Sequence, residues 1–154
     1  MRKKLLIGLA FALLSLAGAQ KPYVGGHVGF FGSSGLNLLN FGVHSGLTLG
    51  PGMPELRAGL DVTSISGVTI TGFNADLLYA IPLQGGEVQP YAGVGGNVWL
   101  SPAGTDFGAH VTLGGRVGIS GTPLSLFVEV QPGYAFGGSG AFVYYFKAGA
   151  NYGF

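Results

Sequence analysis

The C-terminal segment, residues 141–154, alternates between two chemically different faces. One face carries only aromatic and small apolar side chains, whereas the other includes Lys147 and Asn151. Period-two alternation of this kind predicts a β-strand whose two sides meet different surroundings. Because a lysine near the bilayer midplane would cost about 2–4 kcal/mol, Lys147 is expected to point into the lumen of a membrane barrel. Such a barrel must pair this strand with the first one, since an open sheet edge is not tolerated in lipid.

Residues 1–19 have the pattern of a secretory signal peptide. Basic residues 2–4 precede a short apolar run, and the small residues 17–19 follow it. We predict cleavage before Gln20 and export from the cytoplasm. The apolar run is too short for a transmembrane helix, and an N-terminal membrane anchor is the alternative reading. Residues 20–154 are predicted to form a single barrel domain.

The chain carries very little charge. Charged residues make up 8% of the sequence, against about 25% in ordinary soluble domains. A chain with so few charges cannot easily cover itself with a soluble surface. Outside residues 1–19 the sequence has four Lys or Arg and six Asp or Glu, without a basic run. This balance argues against nucleic acid as a partner, and the lack of cysteine excludes disulfides and thiol chemistry.

Clusters of Gly, Pro and Ser divide the chain after residue 20 into eight alternating segments. Their even number and short connections are typical of an up-and-down barrel. Most of them reach the roughly 9–11 residues that a tilted strand needs to cross a bilayer. We therefore predict an all-β fold, an eight-stranded antiparallel up-and-down transmembrane β-barrel. The predicted strands are residues 23–31, 38–49, 56–63, 68–81, 88–100, 107–120, 124–136 and 141–154.

All charges in the interiors of the predicted strands fall on the lumen face, and they sum to zero. Buried charges need partners, so we predict a lumen polar network that also recruits Gln131 and inward Asn side chains. The predicted network residues are Arg57, Asp61, Asp76, Arg116, Glu129, Lys147, His44 and His110. The remaining charges, Lys21, Glu55, Glu87 and Asp106, are expected at the start of the barrel or in connections.

An eight-stranded barrel has a lumen only wide enough for its own side chains. Bulky inward residues therefore need small neighbours, which accounts for the many inward glycines. The bulky inward residues are Phe31, Tyr91, Trp99, Phe127 and Tyr145.

Aromatic residues on the lipid face divide into two groups, as in the interfacial girdles of transmembrane barrels. With both termini in the periplasm, the outer girdle is Phe30, Phe41, Phe107, Tyr134, Phe136, Phe142 and Tyr144. The inner girdle is Tyr79, Tyr152 and Phe154.

Three motifs carry a resemblance to a known family. They are P-Y-A-G-V-G-G at residues 90–96, L-F-V-E-V at residues 126–130, and the aromatic pair Tyr152 and Phe154. They resemble, in turn, the P-Y-x-G-x-G strand, the penultimate-strand l-x-x-E pattern and the aromatic terminus of the small eight-stranded outer-membrane β-barrel superfamily, which includes OmpA-like and OmpX-like barrel domains.

The resemblance implies that the protein lies in the outer membrane of a diderm bacterium and contacts outer-membrane lipid or lipopolysaccharide. It also implies that Tyr152 and Phe154 form the signal that the insertion machinery reads. The outer loops, with four to six residues each in the predicted strand assignment, depart from the long binding loops of relatives. The scaffold hosts many functions, so the resemblance does not select one.

Catalysis would require His, Ser and an acid together, and His44-Ser45 is the nearest candidate. Adjacent strand residues point to opposite faces, so this pair cannot form a hydrogen-bonded dyad. His27, His44 and His110 lie on three different predicted strands without a paired acid, so no metal site is predicted. The glycine-rich segment 93–96 is not followed by a predicted helix, so we reject a nucleotide-binding loop there. We predict no enzyme activity and no cofactor.

Three functions remain open. The first is a non-enzymatic, monomeric outer-membrane barrel with a plugged polar lumen and a structural, envelope-integrity or small surface-interaction role. The second is a narrow pore or transport protein, suggested by the inward glycines. The third is a soluble lipocalin-like barrel that binds an apolar ligand, which would require the two faces to be inverted.

Overall fold

The computed structural model describes residues 21–33, 35–50, 52–65, 67–83, 87–137 and 140–154. The predicted signal peptide, residues 1–19, lies outside these ranges. The described residues form eight strands: β1 Lys21–Ser33, β2 Leu36–Thr48, β3 Glu55–Ile65, β4 Val68–Ala80, β5 Val88–Ser101, β6 Gly104–Gly118, β7 Leu124–Ala135 and β8 Ala141–Gly153.

Each strand pairs antiparallel with its neighbours in sequence, and β8 pairs with β1. The sheet therefore closes into a barrel without a free edge, as backbone groups in a membrane require. The predicted fold class, an eight-stranded antiparallel up-and-down β-barrel, is confirmed. Among the described residues, the structure contains no helix that is long and apolar enough to cross a membrane.

Several strands extend further than the sequence pattern predicted. β3 begins at Glu55, which pairs with Thr48 and Leu78, and β6 begins before Asp106, which pairs with Trp99. The prediction that Glu55 and Asp106 lie in connections is therefore wrong, because backbone pairing continues through both positions. Glu87 does lie in the β4–β5 connection.

The two ends of the barrel differ. We call the end with connections 34–35, 66–67, 102–103 and 136–140 the loop end, and the end where β1 begins and β8 stops the terminal end. Three of the four loop-end connections have two residues rather than the predicted four to six, because the strands continue into the turns. Gly35 and Gly67 supply the positive φ angles of 85° and 83° that two of these turns require.

The outside of the barrel is apolar and the inside is polar. Val43 and Val94 are 59% and 58% exposed, whereas Asp61 and Lys147 are each 3% exposed. All residues of both predicted girdles are exposed on the outside. A soluble barrel would show the opposite distribution, with polar residues outside. The surface thus has the chemistry of a barrel that faces lipid.

Aromatic side chains fill the lumen near the loop end. Trp99, Val143 and Tyr145 form a buried cluster against which Phe31 and Ile70 pack. Trp99 Nε1 donates a hydrogen bond to the Tyr145 hydroxyl at 2.6 Å, which satisfies the indole group inside the barrel. We call these five residues the aromatic plug.

Two valines on the outside of β5 test whether this surface faces lipid. Val94 lies in the middle of the strand and Val88 at its terminal-end rim, and both are exposed. In lipid vesicles, Val94→Arg should lower the free energy of unfolding by about 2–4 kcal/mol and Val88→Arg by about 0–1 kcal/mol. Equal effects of the two substitutions in denaturant titrations would show that depth in a membrane does not govern this face.

Candidate functional site

The lumen polar network is the candidate site, and Arg57 lies at its centre. Its guanidinium reaches from β3 across the lumen to β7, where Nη1 and Nη2 donate to the two Glu129 oxygens at 2.8 and 3.0 Å. Its Nε donates to Asp76 Oδ2 at 3.0 Å. This fork geometry gives arginine its strongest carboxylate contacts. One cation therefore links β3, β4 and β7 through the interior.

A second group surrounds Asp61, further toward the loop end on β3. Its carboxylate is 2.7 Å from His27 Nε2 and accepts hydrogen bonds from Lys147 Nζ at 3.2 Å and Asn74 Nδ2 at 2.5 Å. Lys147 also lies over the Tyr145 ring, with Nζ 4.7 Å from the ring centroid. The Lys147 charge thus has both a carboxylate and an aromatic partner in the lumen.

The third group lies at the terminal end and departs from the predicted network. Arg116 pairs with Glu55, at 2.8 Å between Nη2 and Oε2, and not with another of the six predicted charges. The Tyr23 hydroxyl donates to the other Glu55 oxygen. Sequence reasoning missed Glu55 and Tyr23, although Glu55 shares the period-two face of Arg57 and Asp61 and could have been assigned to the lumen on that ground.

The inward glycines decide which side chains meet. In four places a glycine on one strand lies in register between two polar residues on its two neighbouring strands, and those residues bond to each other across it. A Cβ on any of these glycines would collide with at least one of the bonded side chains. These glycine-bridged pairs are His27–Gly42–Asp61 at 2.7 Å, His44–Gly25–Asn151 at 2.7 Å, Asp76–Gly95–His110 at 2.5 Å and Tyr91–Gly114–Glu129 at 2.8 Å.

Both predicted network histidines point into the lumen. His44 Nε2 is bonded to Asn151, whereas Ser45, the next residue, is exposed on the outside of the barrel. His110 Nε2 is bonded to Asp76 and its Nδ1 to Asn97 at 3.0 Å. The His44-Ser45 pair therefore lies on opposite sides of the barrel wall. Among the described residues, no group of three or more His, Asp or Glu side chains has the geometry to hold a metal ion.

Gln131 lies in the network as well. Its Nε2 donates to Glu129 Oε1 at 3.1 Å and to Thr112 Oγ1 at 3.3 Å, and it joins β7 to β6. Thr112 in turn donates to Asp76 at 3.4 Å. The Arg57 group therefore includes residues from five consecutive strands, β3 to β7.

Tyr152 and Phe154, the predicted insertion signal, point outward at the terminal end. They are 46% and 72% exposed, and their rings are 5.3 Å apart in an edge-to-face arrangement. This position fits aromatic residues at a membrane interface. Their role in insertion stays a prediction.

No protein-family model matches the sequence, and comparison with curated proteins finds no match. The structure is similar to several solved outer-membrane proteins. Neisserial surface protein A (NspA) has a TM-score of 0.67 at 15% identity, covering 88% of this chain and 97% of that one. A major outer membrane protein from Thermus thermophilus has a TM-score of 0.62 at 17% identity, covering 88% and 100%. The outer membrane enzyme PagL has a TM-score of 0.58 at 12% identity, covering 84% and 98%.

These similarities extend over nearly the whole of the barrel, at identities of 12–17%. They establish the fold that the sequence motifs implied, that of the small eight-stranded outer-membrane barrels. The group includes both a surface protein and an enzyme, so the shared fold does not decide between catalysis and a structural role.

Adjacent glycines on β5 test the glycine-bridged pairs. A Cβ at Gly95 would lie 2.6 Å from His110 Nε2 and closer still to Asp76, whereas a Cβ at the outward Gly96 would meet only the Gly108 carbonyl at 3.6 Å. We expect Gly95→Ala to lower the free energy of unfolding by about 1–3 kcal/mol through overpacking. Gly96→Ala should be neutral or slightly stabilising. Equal stability of the two variants in denaturant titrations would contradict this role of Gly95.

Proposed function

We propose that this protein is a non-enzymatic integral outer-membrane barrel whose lumen is plugged and whose role is structural. The observation that carries the proposal is the pairing of Arg57 with Glu129 across the lumen. This pair links opposite sides of the barrel at the level of Asp76. With the aromatic plug toward the loop end, it fills the path that an ion would have to follow.

The charges inside the lumen support a structural rather than a conducting role. Arg57 is paired with two carboxylates and Lys147 with one, and all of these side chains are at most 6% exposed. Charges held in this way stabilise the barrel only when their partners remain in place. A conducting path would require these pairs to separate, which leaves buried charges without partners.

The loop end favours an envelope-integrity role over extensive surface binding. Three of its four connections contain two residues. With both termini in the periplasm, these connections face the outside of the cell and present little area to a partner there. Outer-membrane lipid or lipopolysaccharide is then the main partner of the apolar outside, and the insertion machinery is the partner during biogenesis.

The non-enzymatic assignment is supported by the positions of the candidate residues. His44 and His110 are bonded inside the lumen, and Ser45 lies on the outside. A hydrolytic dyad needs nucleophile and base within hydrogen-bond reach on one surface. The soluble lipocalin-like alternative is disfavoured by the apolar outside, because it needs the inverted distribution of polar and apolar residues.

Single-channel recording distinguishes the plugged barrel from the pore alternative. The protein without residues 1–19, refolded in detergent, would be inserted into planar bilayers, with folding checked by the heat-dependent gel shift and an open porin as positive control. We expect insertion without steady conductance, because Arg57, Glu129 and the aromatic plug occupy the lumen. Steady single-channel currents that change in Arg57→Gln would overturn the plugged barrel and favour the narrow pore.

A further inference from the structure

An open cavity lies at the terminal-end mouth of the barrel. At the terminal end, a cavity of about 520 Å³ lies between the start of β1, the β2–β3 connection and the end of β4. Its volume is within the range of small-molecule sites, roughly 300–1,000 Å³. Lys21, Gln89 and Arg116 contribute polar groups to its lining, and Met53, Ala80 and Pro82 contribute apolar surface. The cavity is therefore amphipathic and opens at the surface.

Arg116 is held in a fixed orientation at this cavity. Its Nη2 contacts Glu55 at 2.8 Å, and its guanidinium carbon lies 4.8 Å from the centroid of the Tyr91 ring. Its side chain is 17% exposed, more than that of any other cation paired inside the barrel among the residues described. Its Nε has no hydrogen-bond partner among those residues. The contacts orient this guanidinium without using all its donors, and a planar arginine fork of this kind suits carboxylate or phosphate.

The charge balance at the cavity favours an anion. Two cations, Lys21 and Arg116, line it together with one carboxylate, Glu55. Glu55 is occupied by Arg116 and by the Tyr23 hydroxyl, and Lys21 makes no ion pair within the described part of the chain. Glu87 is exposed in the neighbouring connection but does not line the cavity. One positive charge at the cavity is therefore left over, whereas the Arg57 and Asp61 groups carry at least as much carboxylate as cation.

The cavity ends inside the barrel. Tyr91 and Glu129 lie one step deeper than Arg116, on both sides of Gly114, and Arg57 bonds to Glu129 behind them. These bonded side chains lie between the cavity and the loop end, as expected for a cavity that holds a molecule without conducting it.

We propose that the terminal-end cavity binds a small organic anion, with a carboxylate or phosphate on Arg116 and Lys21 and an apolar body against Met53, Ala80 and Pro82. This site goes beyond the structural role proposed above and does not depend on whether the lumen conducts ions in bilayers. The cavity volume, the oriented guanidinium and the excess positive charge each support it.

Matched aromatic probes test the site on the refolded barrel in neutral detergent micelles. Benzoate, phenyl phosphate and the uncharged benzamide would be titrated against the labelled protein, with NMR signals of Arg116 and Lys21 as reporters and Arg57 as internal reference. Benzoate or phenyl phosphate should bind about tenfold more tightly than benzamide, as a charged hydrogen-bond partner requires. The ratio of the benzoate and phenyl phosphate affinities shows whether the site prefers a carboxylate or a phosphate headgroup. Equal binding of benzamide would overturn the proposal.

Substitutions at the cavity provide an independent check. Lys21→Gln, at an exposed position that should not affect folding, is expected to weaken benzoate binding about two- to fivefold. Arg116→Gln should weaken it by about tenfold or more. Glu87→Gln is the matched control and should change the affinity by less than about twofold. If neither Lys21→Gln nor Arg116→Gln alters binding in barrels that pass the gel-shift check, the proposal is wrong.

Discussion

The structure depends on one constraint: the lumen is too narrow to hydrate the charges placed inside it, so the barrel must neutralise them itself. Strand β3 supplies most of the neutralising contacts. Its inward residues Glu55, Arg57 and Asp61 contact partners on β1, β4, β6, β7 and β8. The interior contacts run across the barrel, while the backbone hydrogen bonds run around it. Together they explain how a chain with so few charges can use them to hold a closed shape.

The glycines complete this arrangement. A β-sheet normally keeps side chains on alternate strands apart, because the strand between them places its own side chain in the gap. Gly42 and Gly95 leave that gap empty, so His27 can bond Asp61 and Asp76 can bond His110. The high glycine content is thus part of the polar network, and a glycine-rich strand is stabilised here by the contacts that it allows.

Much of the fold could be predicted from the sequence. Alternation between two faces and the turn residues between segments indicated the strand number, the antiparallel order and the closed barrel. The same alternation assigned Arg57, Asp61 and Lys147 to the interior, where the structure places them. These features depend only on local periodicity, which a single sequence contains.

The partners inside the barrel could not be predicted in the same way. Pairing depends on the register between strands, which places Gly95 between Asp76 and His110. The alternation of residues within one strand does not determine which residues of the neighbouring strands lie beside them. The Arg116–Glu55 pair was missed because the predicted third strand began at residue 56, which left Glu55 in a connection. The terminal-end cavity brings together residues from distant parts of the sequence, such as Lys21, Gln89 and Arg116, and their convergence has no periodic signal.

We propose that Arg57 and Glu129 hold the lumen closed by direct contact across it. A double-mutant cycle with Arg57→Gln, Glu129→Gln and the double variant, measured by denaturant unfolding in lipid vesicles, tests it most directly. The contact predicts a favourable coupling free energy of about 1.5 kcal/mol or more, because both groups are buried and charged. Additive effects of the two substitutions would contradict it and leave the lumen closed by packing alone.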